Sequence, residues 1–309
     1  MTALTVQDMT MKRLLKSLLF ASAALLALPA AALNILACEP EWGALAKEIA
    51  GDKANIYVAT TALQDPHRIE ARPSLIARAR NADLVVCTGA QLEIGWLPLL
   101  QTQAGNPKIQ TGLPGYFEAS RYVTMLEVPA SIDRSMGDVH PGGNPHIHLD
   151  PRNIAKVAVA LTERMAQLDV AGADGYRQRS KVFLERWQQA IARWDQQAAP
   201  LKGAPLVVYH KNFSYLIAWL GLRELGSLEP KPGLPPTASH LSELVALLKR
   251  EPARAIVLAA YNDPRGGDWL SEQSKVPVKV LPFTVGGNDR AKDLFGLFDD
   301  SIAQLLGGR

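Results

Sequence analysis

Residues 33–61 read LNILACEPEWGALAKEIAGDKANIYVATT, and their reading decides the fold. "LNILACE" (33–39) is a short apolar run. "WGALAKEIAG" (42–51) has apolar residues at helical spacing and stops at Gly51, and "ANIYVATT" (54–61) is a second extended run. A strand, a helix of about ten residues and another strand make a βαβ unit, the building block of a parallel sheet. The pattern continues outward. "PSLIARARNA" (73–82) predicts a helix, "DLVVCTG" (83–89) a buried strand and "QLEIGWLPLLQTQ" (91–103) another helix. A looser region rich in Gly, Pro and Asp covers 105–150.

Asp150-Pro151 reads as a helix N-cap followed by proline at the first helical position. Helices follow to about residue 200, broken at "DVAGADG" (169–175). In the second of them Phe183, Leu184, Trp187, Ile191 and Trp194 recur at 3.6-residue spacing, which predicts a long amphipathic helix. A new alternation then begins. "APLVVYH" (204–210), "ARAIVLAAY" (253–261) and "VPVKVLPF" (276–283) predict strands. "FSYLIAWLGL" (213–222), "ASHLSELVALLKR" (238–250) and "AKDLFGLFDDSIAQLL" (291–306) predict helices. The expected architecture is therefore α/β: two Rossmann-like lobes with parallel sheets, 33–150 and 201–309, joined through a helical segment, 151–200, that holds a long rigid helix.

Residues 1–32 are read as a targeting segment. A basic stretch (Met11 to Lys16) precedes the apolar run "LLFASAALLAL" (18–28) and Ala30-Ala31-Ala32, the three parts of a secretory signal peptide. The ten residues before Met11 fit none of these parts, so Met11 is the expected start. The apolar run is too short to span a bilayer, which needs about 20 residues, and no other run is long enough. A chain that is not membrane-spanning, outside the inner membrane, is expected. Three cations and one anion leave with residues 1–32, so the formal charge of +3 falls by two. A nearly balanced chain with no basic stripe excludes nucleic acid as a partner.

Cys38 and Cys87 are the two cysteines. An even count in an oxidising compartment favours a disulfide, and both lie at ends of predicted strands. Two buried free thiols are the alternative.

Three of six histidines fall in "HPGGNPHIH" (140–148). His67 and His146 share the pattern X-Pro-His, in which proline stiffens the loop that presents the imidazole. His210 ends a predicted strand. Ligands of open α/β folds sit beyond the carboxyl ends of strands, so His67, His146 and His210 are all placed where sites are built. A stiff presentation suits zinc, whose bonds to nitrogen of about 2.0–2.1 Å tolerate little wandering.

"DPHRIEARPS" with "NADLVVCTGAQLE", "GNPHIHLDPRN", "VVYHKNFSYL" and "GSLEPKPGLPPTASHL" together resemble the metal-specific solute-binding proteins of ABC importers, the zinc-binding (ZnuA-like) group in particular. The resemblance runs in order over residues 34–300. It implies a metal buried between the lobes, with His67, His146 and His210 as ligands. The implied cargo is Zn(2+) ahead of Mn(2+), the implied partner an inner-membrane metal ABC permease, and the implied setting a monomer in the periplasm. Extended geometry would pair His146 with His148, but relatives more often carry an aromatic residue at that place, which implies packing for His148. His240 opens a predicted helix and is expected on its surface. Many relatives supply an Asp after the last strand. Here "LPFTVGGNDRAKD" (281–293) has Val285 instead, which leaves water, Asp289 or His140 as the auxiliary donor.

Three readings of function follow. Zinc reception leads, because three imidazoles without an assured carboxylate suit zinc; a manganese or iron receptor is the near alternative. A zinc-dependent hydrolase is the alternative from another class. It would need a general base over the metal-bound water, for which Glu39, Glu41 and Asp65 are the nominees, and H-E-x-x-H is absent.

Overall fold

The computed structural model describes residues 32–131, 133 and 136–307, so the signal-peptide reading lies outside the described residues except at Ala32. The first half holds β1 (Leu33–Ala37), β2 (Ala54–Val58), β3 (Leu84–Cys87) and β4 (Tyr116–Glu118). The second holds β5 (Pro205–Val208), β6 (Arg223–Ser227), β7 (Ala255–Ala259) and β8 (Val278–Leu281). Each set forms a four-stranded, wholly parallel sheet, and the orders β2-β1-β3-β4 and β6-β5-β7-β8 are the same topology twice. No helix among the described residues is long and apolar enough to cross a membrane.

Two of the eight strands among the described residues are not legible in the sequence. β4 and β6 are edge strands; β4 is three residues long and β6 is "RELGS", with charge where a central strand would carry a branched apolar run. The helix Arg265–Ser274 is likewise not legible, because Gly266 and Gly267 are poor helix formers. Space explains Gly267: a Cβ there would come within 3.0 Å of the Leu258 side chain on β7. The expected helix over 91–103 begins only at Leu97. Before it, Ala90 and Gln91 take left-handed backbone angles (φ 50° and 67°), and the buried Glu93 carboxylate accepts the Thr88 and Gly89 N–H groups, winding the segment into a loop.

Helix α1 (Pro40–Ala50) follows β1, α2 (Pro73–Arg80) follows β2 and α3 (Leu97–Ala104) follows β3. Helices α4 (Pro151–Leu168) and α5 (Ala173–Ala198) stand between the two sheets in sequence. Asp150 caps α4 as expected, accepting the Arg152 N–H at 2.9 Å. α5 runs for 26 residues, about 39 Å. Its start is tied to the first half, where Arg179 Nε donates to the Ile49 carbonyl at 2.7 Å. Its end is tied to the last helix, Leu294–Leu306, where Trp194 Nε1 donates to Asp299 at 2.6 Å. One apolar cluster joins Ile35, Trp42 and Phe117 of the first half to Val208, Val257 and Phe298 of the second by way of Phe183, Trp187 and Trp194.

Cys38 and Cys87 are joined by a disulfide between the ends of neighbouring strands. Beside it lies a buried carboxyl pair. Burial pushes Glu93 up to about 7, and burial followed by the charges of Glu93 and Glu41 pushes Glu39 well above the ordinary range. Glu93 therefore keeps its proton in the fold between pH 4.5 and 7, where the unfolded chain has lost it. Its contribution to stability is present below that window and is lost as pH rises through it, by about 1.4 kcal/mol per pH unit for one proton. Unfolding by urea at pH 5 and pH 7.5 tests this: Glu93→Gln is expected to lose less stability than the parent over that interval. An equal loss in both would contradict it.

Candidate metal centre

The loops beyond the carboxyl ends of the strands converge between the sheets, and the histidines come with them. His67 follows β2. Asp65-Pro66-His67 is a tight turn in which Asp65 Oδ1 accepts both the His67 backbone N–H at 3.0 Å and ring Nδ1 at 2.7 Å. Trp96 Nε1 donates to the Pro66 carbonyl at 3.0 Å and holds the turn in place. Burial would raise Asp65, but its hydrogen bonds from His67 outweigh that and hold the carboxyl below its usual range. An ionised Asp65 fixes the proton on Nδ1 and turns Nε2 inward as a lone-pair donor.

His210 lies just beyond β5 and repeats the arrangement. Its Nδ1 bonds Glu229 Oε2 at 2.6 Å, and the same oxygen accepts the Gly233 N–H at 2.9 Å. His146 is different. Asn144 accepts its backbone N–H at 3.0 Å, while Asn144 Nδ2 donates to the Lys211 carbonyl at 2.6 Å, next to His210. His146 is 1% exposed, and neither of its ring nitrogens has a hydrogen-bond partner among the described residues. Burial, reinforced by the neighbouring His67 and His210, pushes its pKa well below 6.5, so the ring is neutral.

One nitrogen from each of His67, His146 and His210 lies within 4.8 Å of the other two. On a tetrahedral zinc ion they would be about 3.3 Å apart, so small ring movements would close the set on an ion. His140 also reaches the cluster, with its Nε2 3.2 Å from that of His67. Burial first, then the charges of His67 and His210, lower His140 to about 4. A cavity of about 460 Å³ opens on His140, His146 and His210, and one of about 220 Å³ opens on His67 and His210 from the side of Asp65 and Glu229.

The remaining candidates lie elsewhere. Asp289 is exposed past the glycine turn and lines neither cavity. His240 sits in the first turn of the helix Ala238–Arg250, with Nε2 bonded to the Ser227 carbonyl at 2.8 Å. His148 is fully buried, pointing away from the cluster to the Phe283 carbonyl at 2.9 Å. Glu229 is not among the residues that the sequence singles out, and Asp65 stands there only as a candidate base. Glu229 carried no legible signal, because it follows the unread strand β6 and stands 19 residues from the histidine it holds.

Twin parallel sheets facing a shared cluster of imidazoles, each half contributing, define a two-lobed α/β binding protein. The chain belongs to the family described as zinc-uptake complex component A periplasmic (ZnuA), which it matches over residues 35–307. The zinc-binding lipoprotein AdcA of Streptococcus pneumoniae (strain ATCC BAA-255 / R6) is 23% identical over 239 residues, covering 76% of this chain and 46% of AdcA. The chain thus spans about half the length of that relative. The manganese ABC transporter substrate-binding lipoprotein PsaA of Streptococcus pneumoniae is 23% identical over 249 residues, 78% of this chain and 76% of PsaA. A crystal structure of ZnuA matches the fold with a TM-score of 0.73 at 20% identity, covering 89% of this chain and 98% of that one.

Proposed function

We propose that this protein is a periplasmic receptor that binds zinc tightly and delivers it to an ABC importer in the inner membrane, acting as a monomer and not as an enzyme. His67, His146 and His210 are the ligands, and His140 or water completes the set. The observation that carries this reading is His146. Buried polar atoms almost always find partners, and a neutral imidazole with both nitrogens orphaned beside two more imidazoles suits a cation. Asp65 and Glu229 orient the other two rings and supply negative charge one bond removed from the metal.

Relatives named for zinc and for manganese both occur, so the donor set has to discriminate. Nitrogen donors favour zinc, while manganese prefers carboxylate oxygen. Hydrolysis is disfavoured by where its nominated bases stand: Glu39 is hydrogen-bonded to Thr88 beside Glu93, Glu41 to Thr284, and Asp65 to His67. The test is the melting temperature of metal-free protein at pH 7.5 with zinc or manganese at equal free concentration. Binding to the native state alone stabilises it by RT ln(1 + [L]/Kd), about 4 kcal/mol at a thousandfold excess over Kd. Zinc is expected to give much the larger shift. A manganese shift as large would mean that an oxygen donor dominates, and the zinc reading would fall.

A further inference from the structure

Of the three clustered histidines, His67 and His210 each have a carboxylate on Nδ1, and His146 has none. Something else must set its ring. Outside the histidine cluster, its ring meets that of Phe283, just past β8, edge-on at a centroid distance of 5.4 Å. Phe283 is itself held from behind. Its carbonyl accepts from His148 Nε2 at 2.9 Å, and its ring lies edge-on to that of His148 at 4.9 Å. The next residue, Thr284, donates its hydroxyl to Glu41 Oε2 at 2.5 Å. Glu41 Oε1 lies 3.1 Å from His148 Nδ1, a poorly aligned electrostatic contact that closes the ring of interactions. Glu41, His148, Phe283 and Thr284 are all at most 3% exposed. Glu41 belongs to α1 of the first half and Thr284 to the second, so the contact crosses between the lobes.

We infer that Glu41, His148 and Thr284 form a buried latch that positions Phe283, and through it the His146 imidazole, while pinning the two lobes together at the metal site. The inference rests on the zinc-receptor reading above. It gives His148 a role that is neither ligation nor mere filling: His148 acts on the metal through Phe283. It also explains why two charged or ionisable side chains stay in the dry interior beside the cluster, where apolar packing would avoid their desolvation cost. Each half of the latch is incomplete without the other lobe, so the His146 ring is set only when both are in place.

Thr284→Val deletes one hydroxyl at nearly constant volume and touches no histidine. It is expected to weaken zinc binding about tenfold, the lower end for residues that orient a ligand, measured by competition with a chromophoric chelator. It should also shift the visible spectrum of the cobalt(II)-loaded protein, which reports ligand geometry. Thr284→Ser, which keeps the hydroxyl, should restore both. His148→Phe keeps an aromatic body and removes both polar contacts, so it should act in the same direction, and it decides alone if Thr284→Val does not fold. Parental zinc affinity and cobalt spectrum in these variants, even with a lowered melting temperature, would reduce the latch to general structure and overturn the inference. A parent protein that takes up neither cobalt nor zinc would instead sink the ligand assignment on which the inference stands.

Discussion

His146→Ala is expected to weaken zinc binding about a hundredfold or more. Structural zinc sites bind with about 10–16 kcal/mol, so one of four ligands accounts for roughly 3 kcal/mol, equivalent to about two orders of magnitude. His67→Ala and His210→Ala should lose as much. Asp65→Asn and Glu229→Gln should cost less, about 10- to 100-fold, because the imidazole remains while the group that fixes its tautomer is weakened. The order of effects carries the information. Removing a ligand should leave a site that no longer competes with a chelator, whereas altering its carboxylate partner should leave a weaker site of the same stoichiometry. His148→Ala should fall in the weaker group. A loss at His148 equal to that at His146 would restore a local His-x-His pair and overturn the assignment.

The second large effect concerns the disulfide. Cys38 and Cys87 are 49 residues apart, and a bridge closing a loop of about 50 residues stabilises a fold by roughly 4 kcal/mol in the chain-entropy view. That is a large share of the 5–15 kcal/mol that holds a typical domain. The double variant Cys38→Ser/Cys87→Ser is expected to unfold at a much lower urea concentration than the oxidised parent. Both sulfurs are buried against Leu36 and Val85, so the serine hydroxyls add a desolvation cost of their own. The Cys38→Ala/Cys87→Ala variant separates the two terms. If it loses less than about 1 kcal/mol relative to the parent, the bridge contributes little through the unfolded chain.

Much of the fold was legible because its central strands are buried on both faces. β1, β3, β5 and β7 lie inside parallel sheets covered by helices, so apart from Asn34 in β1 they read as apolar runs. The long helix was equally plain, since Phe183, Trp187 and Trp194 stand at regular spacing on one face. What escaped was held by tertiary partners. The loop 89–96 has helical composition but is wound by the Glu93 carboxylate and two left-handed residues. β4 and β6 are edge strands that borrow their pairing from neighbours. The same distinction runs through the site. His67 and His146 announce themselves by stiff X-Pro-His turns, and His210 by ending a strand. Glu229 has meaning only once β5 and β6 lie side by side. Glu41 and Thr284 stand 243 residues apart and meet only in the folded chain. His148 looked like half of a local pair, and its role is visible only with Phe283 and Glu41 in place.

If the protein is the receptor proposed above, the apolar cluster shared by the two sheets also constrains how cargo can leave. Swinging one lobe away as a hinged body would have to expose Trp187, Trp194 and Phe298, which lie at the junction of α5 with the last helix. Three large side chains at about 2 kcal/mol each amount to roughly 6 kcal/mol, which would hold such an opened form below about one molecule in ten thousand. On the receptor reading proposed above, release is expected to come from loop rearrangement over a fixed frame, at a rate set by the segments that carry the histidines, with the long helix as a strut that keeps the frame from yawning.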